Sequence, residues 1–217
     1  MSPDSHSETP ARSSKKKNKF GITSRRTFLK SAGLASAGVA SLDLLRENAA
    51  AQAARSNVLG PGKVPIKLRV NGQVHSLSVE PRTTLAEALR DELHMTGTKI
   101  VCDRGACSAC TVMVEKTPVC SCMTLAMDIG DRNVTTVEGL AQGNNLHPVQ
   151  AAFVAHDALQ CGFCTSGMVM SCAALLEKNA KPTVADVRTA ISGNICRCGT
   201  YPKVLEAALA ASGSKGA

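Results

Sequence analysis

Tryptophan is absent from this chain of 217 residues, which has one tyrosine and four phenylalanines. With so little aromatic bulk, Ala, Val, Leu and Met must fill any core. The length allows one or two compact domains. The sequence also lacks the parts of several functions. It has no glycine-rich phosphate loop, no G-x-G-x-x-G fingerprint and no Ser/His/Asp arrangement, so the chain is not expected to carry out bond chemistry itself. Its net charge of +8 comes without a basic face studded with aromatics. Residues 1–53 hold nine Lys/Arg against four Asp/Glu, and the remainder sixteen against thirteen. That distribution excludes nucleic acid as an expected partner.

A long hydrophobic run is missing too. The stretch Ala32 to Leu45, interrupted by Gly33 and Gly38, is too short and too weakly apolar to form a stable membrane span. Its setting explains it. A basic run (Lys15, Lys16, Lys17, Lys19) and Ser24-Arg-Arg-Thr-Phe-Leu-Lys30 precede it, and the small-x-small sequence Ala51-Gln52-Ala53 follows. Basic region, paired arginines, mild apolar stretch and cleavage pattern together predict a twin-arginine signal peptide over residues 1–53. The expected partner is the twin-arginine export machinery, and the expected location is the periplasm. Residues 54–63 read as a linker.

What the chain has in abundance is cysteine: ten, all between Cys102 and Cys198. An exported, cysteine-rich chain is ordinarily read as disulfide-bonded. The twin-arginine route, however, carries proteins already folded, with cofactors inserted in the reducing cytoplasm, where thiolates are free to take iron.

From Val64 the pattern alternates. Ile66, Leu68 and Val70 share a face, and Val74 with Leu77 or Val79 continues after Asn71-Gly72, a strong hairpin signal. Thr84 opens a helix with Glu87 completing a capping box, and Leu85, Ala88, Leu89 and Leu93 form its buried stripe. Thr111 to Val114 and Val134 to Val137 read as further strands, which together predict a β-grasp domain over residues 64–140. Within it, Cys102, Cys107 and Cys110 stand in the C-x4-C-x2-C spacing of plant-type [2Fe–2S] proteins, with a fourth cysteine downstream. One irregular loop must wrap three thiolates around a cluster. Gly105, Ala106, Ser108 and Ala109 are small enough to allow that and leave amide N–H groups for the sulfurs, while Lys99 and Arg104 add positive charge. The asymmetric spacing does not match the paired knuckles of zinc sites; zinc and disulfides remain the alternatives. Cys120 and Cys122 both read as strand or strand-end residues on one face, and spacing does not choose between them.

After Gly139 the reading turns helical, predicting four short helices over residues 141–212. They run from His147 to Ala158, from near Cys164 to about Lys178, from Val184 after the Thr183/Asp186 capping box to Gly193, and from Lys203 to Ala210. Residues 213–217 are a tail. At the helix ends stand Cys161-x2-Cys164 and Cys196-x-Cys198, separated by 31 residues. Alone, this set also fits zinc or a redox-active C-x-x-C, although the βαβ context of the latter is missing. Two-histidine ligation needs Cys-x-His pairs, and none exists; His147 and His156 read as capping or packing residues.

The order C-x4-C-x2-C…C, then Gln160-Cys-Gly-Phe-Cys-Thr-Ser-Gly-Met168, then Gly193-Asn-Ile-Cys-Arg-Cys-Gly-Thr-Tyr-Pro202, resembles the iron–sulfur subunit or domain of the xanthine oxidase family of molybdenum hydroxylases. The likeness covers roughly residues 64–210. It implies an α+β fold, a β-grasp domain followed by a helical bundle. It implies one [2Fe–2S] cluster on Cys102, Cys107, Cys110 and Cys122, with Cys120 set aside, and a second on Cys161, Cys164, Cys196 and Cys198, with Cys172 a buried helix residue. It further implies that Gln160 contacts a molybdopterin cofactor on a large partner subunit. Electrons would pass from molybdenum through the second cluster, then the first, to FAD on another partner. Aldehydes are the implied substrates and N-heterocycles the competitors. Val101 and Ser108 stand where relatives often have Gly, which narrows the backbone there, and Glu115-Lys116-Thr117-Pro118 replaces a Gly-containing turn. A stand-alone ferredoxin-like carrier would explain the first cysteine group but not the helical domain. A structural zinc or disulfide protein would explain only the cysteines and the export.

Overall fold

Alternation of apolar residues makes the first hairpin. In a computed structural model, which describes residues 59–213, β1 (Val64–Val70) pairs antiparallel with β2 (Gln73–Val79). Asn71 and Gly72 link them with φ of 51° and 81°, the doubly left-handed turn that matches strand twist. Leu68 and Val70 are buried as expected, and so is Val79, but Val74 is 57% exposed; on this strand the inward face is that of Leu77 and Val79.

A mixed five-stranded sheet has the order β2-β1-β5-β3-β4, with β3 (Thr111–Val114), β4 (Thr117–Cys120) and β5 (Asn133–Thr135). β5 runs parallel to β1 and antiparallel to β3. Helix α1 opens with Leu85–Glu87 behind the predicted Thr84/Glu87 capping box and then widens over Ala88–Glu92. The Leu93 amide there reaches back to the Ala88 carbonyl at 3.1 Å. Leu85, Ala88 and Leu89 pack with Leu68, Val70, Val112, Val114, Ile129 and Val134 in one core. This is the expected β-grasp arrangement.

The helical part comprises α2 (Pro148–Ala155), α3 (Thr165–Lys178), α4 (Val184–Ala190) and α5 (Tyr201–Ala211). Its core is built on Val149, Phe153, Met168, Met170, Cys172, Val187 and Val204, and Met113 of β3 joins it. Fully burying Phe153 contributes about 2 kcal/mol. α5 begins at Tyr201 rather than Lys203, because Pro202 is tolerated in a first helical turn. Met113 enters the helical core because β3 lies between the two layers and is buried at all four positions. Residues 59–213 therefore form one compact unit with two cores. Among the described residues no helix is long and apolar enough to cross a membrane. The predicted signal peptide lies outside the described residues.

Candidate metal centres

The first centre is built on the loop between α1 and β3. That loop turns sharply: Asp103, Gly105 and Ser108 all have left-handed φ, of 51°, 71° and 52°. Ser108 thus adopts the backbone that glycine holds at no cost, and Val101 does not. The turn brings the Cys102 and Cys107 thiols together. It also aims backbone N–H groups at sulfur, Ala106 donating to Cys102 Sγ at 3.3 Å and Gly105 to Cys122 Sγ at 3.4 Å.

Cys122 does not lie in a strand. β4 ends at Cys120, and Cys122 sits in the single helical turn Ser121–Met123. Buried Ser121 fixes that turn, its hydroxyl and its amide both donating to the Cys110 carbonyl, at 2.6 and 3.4 Å. Cys110 and Cys122 consequently meet in a buried pocket with Ala86, and Cys120 and Ile100 pack against its edge. The Cys120 sulfur instead contacts the Ser108 hydroxyl at 3.5 Å. Alternation placed Cys120 and Cys122 on one face; the chain leaves the strand between them, and the two thiols have different neighbours.

The second centre joins two turns. Cys161 and Cys164 lie just before α3, Cys164 as its N-cap, and Cys196 and Cys198 lie between α4 and α5. Cys161 meets Cys198 at the surface, and Cys164 meets Cys196 in a buried position. Thr200 supports Cys196, with its hydroxyl 3.1 Å and its amide 3.5 Å from Sγ. Tyr201, the chain's one tyrosine, latches the same turn. Its hydroxyl accepts from the Cys196 amide at 2.8 Å and donates to the Asn194 carbonyl at 3.1 Å. Gln160 is exposed beside Cys161, with exposed Leu159 and Phe163 near it along the chain, and Ile195 is exposed beside Cys196. Cys172 is wholly buried within α3, in the helical core.

Within the pairs the thiols are electrostatically unlike. The Arg104 amide lowers Cys102 to about 7, while burial raises Cys107. Burial opposes ionisation of Cys196, yet the Thr200 hydroxyl and amide outweigh it and hold that thiol at about 7. Burial, reinforced by Cys196, pushes Cys164 up to about 12. The Phe163 amide lowers Cys161, and contact with Cys161 raises Cys198. In each of these pairs one thiol ionises more readily than its partner, and both must give up their protons to bind a metal. Among the described residues no three His, Cys, Asp or Glu side chains converge on a single ion position. Thiols grouped in twos, four to a set, fit a [2Fe–2S] cluster, which each set would hold through its thiolates. The N–H groups aimed at sulfur complete the fit.

The centres are in direct contact. The Ile195 amide, one residue before Cys196, donates to the Cys107 carbonyl at 3.1 Å. The Asn194 side chain donates to the Ser108 carbonyl at 2.9 Å. At Gly167 of α3 a Cβ atom would lie 2.2 Å from that same oxygen, so only glycine lets the helix approach. Sequence reasoning assigned no role to Asn194, Gly167, Ser121, Thr200 or Tyr201. All five stand within three residues of a cysteine, and that proximity was the signal available.

Comparison with known proteins agrees with this geometry. Residues 68–140 match a family profile described as a 2Fe-2S iron-sulfur cluster binding domain, and residues 136–209 one described as a [2Fe-2S] binding domain. The chain is 45% identical over 168 residues to the aldehyde oxidoreductase iron-sulfur-binding subunit PaoA of Escherichia coli K12, covering 70% of this chain and 73% of that one. It is 46% identical over 154 residues to the nicotine 6-hydroxylase small subunit of Paenarthrobacter nicotinovorans, covering 71% and 93% respectively. A chain in the crystal structure of quinoline 2-oxidoreductase from Pseudomonas putida 86 superposes with a TM-score of 0.68 at 41% identity, covering 70% of this chain and 95% of that one. The protein therefore carries two [2Fe–2S]-binding domains and belongs to the iron–sulfur electron-transfer subunits of the xanthine oxidase family of molybdenum hydroxylases.

Proposed function

We propose that this chain relays electrons within a molybdenum hydroxylase, taking them from a molybdopterin cofactor on a large partner subunit and passing them to FAD on another. In this reading Cys102, Cys107, Cys110 and Cys122 hold one cluster, and Cys161, Cys164, Cys196 and Cys198 hold the other. Bound there, each cluster supplies a one-electron carrier. The protein's part is to hold the sulfurs, direct N–H groups at them and keep the centres close. The observation that carries the reading is the hydrogen bond from the Ile195 amide to the Cys107 carbonyl at 3.1 Å, which links the two thiol sets through few bonds.

The second centre is the entry side. Cys161 and Cys198 are exposed there, and Gln160 stands next to them among exposed apolar residues, a surface suited to burial against a partner. Gln160 contacts the molybdopterin. The substrate is an aldehyde, supported by the likeness to the aldehyde oxidoreductase subunit; the nicotine 6-hydroxylase likeness favours an N-heterocycle as the second reading. Residues 1–53 direct export of the folded, loaded chain to the periplasm.

Iron and sulfide analysis with EPR after dithionite reduction tests the relay: two distinct [2Fe–2S] signals are expected, and a colourless zinc protein overturns it. Co-purification with a molybdenum subunit, assayed against aldehydes and N-heterocycles, identifies the substrate class. Gln160→Ala should leave both clusters and slow reduction of the second by substrate; unchanged turnover removes Gln160 from the path. Cell fractionation should find the chain in the periplasm and, with Arg25 and Arg26 both changed to Lys, in the cytoplasm.

A further inference from the structure

Within the paired thiols, no pair bridges the two centres: Cys102 meets Cys107, Cys110 meets Cys122, Cys161 meets Cys198 and Cys164 meets Cys196. The ligands therefore shape each cluster but do not set the distance between them. The seam between the Cys107 loop and the Cys196 turn must do that, and Asn194 is a buried side chain that crosses it.

Asn194 is 3% exposed. Its main chain belongs to the Cys196 side, where its carbonyl accepts from the Tyr201 hydroxyl at 3.1 Å while that hydroxyl accepts from the Cys196 amide at 2.8 Å. Its side chain belongs to the other side. Nδ2 donates to the Ser108 carbonyl at 2.9 Å, and Oδ1 accepts from the buried Ser171 hydroxyl of α3 at 2.9 Å. A carbonyl only accepts, so the amide has one workable orientation. The Ser108 carbonyl, one residue beyond Cys107, also accepts from the Thr111 amide and hydroxyl, at 3.3 and 2.7 Å, and so is itself immobilised. Directional hydrogen bonds in a buried seam resist sliding in a way that apolar contact does not, because each group left unpaired is penalised.

We propose that Asn194 is a positioning residue that sets the separation and relative orientation of the two clusters, by tying the loop of Cys107 to the turn of Cys196. The proposal rests on the reading that these two cysteines serve different clusters. Asn194→Ala removes both side-chain bonds. Asn194→Asp keeps an acceptor for Ser171 but sets oxygen against the Ser108 carbonyl. Gly167→Ala leaves the clamp chemically intact and forces the seam apart, because its Cβ would start 2.2 Å from the Ser108 oxygen.

The test uses the full-length chain with both clusters, reduced by dithionite and examined by low-temperature EPR. Two reduced clusters this close split each other's signals, and the splitting depends steeply on distance and angle. Asn194→Ala and Asn194→Asp are expected to retain both signals and full iron content while the splitting collapses, Asn194→Asp carrying the test should Asn194→Ala not fold; Gly167→Ala, with the clamp intact, calibrates how the splitting responds when the seam is forced apart. Wild-type splitting in variants loaded with both clusters overturns the role of Asn194. Loss of one signal with the other untouched also overturns it, by making Asn194 a support of one cluster alone. Absence of both signals from the unsubstituted chain overturns the eight-thiol reading itself and the inference with it.

Discussion

Cys120 and Cys122 are two residues apart, yet they are not equivalent. Ser121 binds the Cys110 carbonyl and so turns Cys122 toward Cys110, while Cys120 ends its strand against Ser108. Cys122→Ser is expected to abolish the first cluster's EPR signal and Cys120→Ser to leave both signals; the opposite result would reassign the fourth ligand. Spacing indicated the other cysteines but not this choice, because alternation fails where the chain departs from β geometry. Asn194 was unreadable for another reason. Its meaning lies in Ser108, 86 positions away, and no local pattern encodes so distant a partner. Residues whose partners are near in sequence, such as Thr84 with Glu87 and Thr183 with Asp186, were legible because capping is local.

At the scale of elements, the β3–β4 hairpin turns on Glu115 and Lys116, with φ of 48° and 68°. A left-handed non-glycine residue costs about 1–2 kcal/mol. Lys116→Gly should therefore raise stability by about 1 kcal/mol, measured by denaturant titration. The ion pair it removes, Lys116 with Glu177 at 3.9 Å, is largely exposed and contributes little. Helix α2 depends on an unusual cap: His147 Nδ1 accepts from the Val149 amide at 3.3 Å, and the Gln150 side chain accepts from the His147 amide at 3.0 Å. Burial lowers the His147 pKa, against a smaller opposing pull from Glu177. The unfolded chain then takes up the proton first as pH falls, so stability is full above the ordinary histidine pKa and declines below it. The melting midpoint should drop between about pH 7.5 and about pH 5.5, and His147→Asn, a cap that does not titrate there, should reduce that dependence. An unchanged profile in the variant would remove His147 as the cause.

At the scale of the whole molecule, the division into a β-grasp part and a helical part was legible because hydrophobic periodicity changes from two to 3.6 along the chain. What periodicity could not convey is how the parts meet. Met113 belongs to the sheet by sequence and to the helical core by packing, and Gly167 brings α3 onto the cysteine loop. Two halves with a shared core residue and a buried, hydrogen-bonded seam should melt together. Calorimetry of the loaded protein is expected to give one cooperative transition, and two separated transitions would count against the coupling.

The first hairpin turn offers a caution for anyone redesigning this chain. Asn71-Gly72 invites replacement by another turn pair, and Gly at 71 would tolerate the left-handed φ easily. Yet the Asn71 side chain also reaches Thr136 just beyond β5, donating to its hydroxyl at 3.0 Å and accepting from its amide at 2.9 Å. A substitution chosen from turn statistics alone would keep the bend and unfasten the central strand from it. What looks like a hinge pin is also the button on a coat.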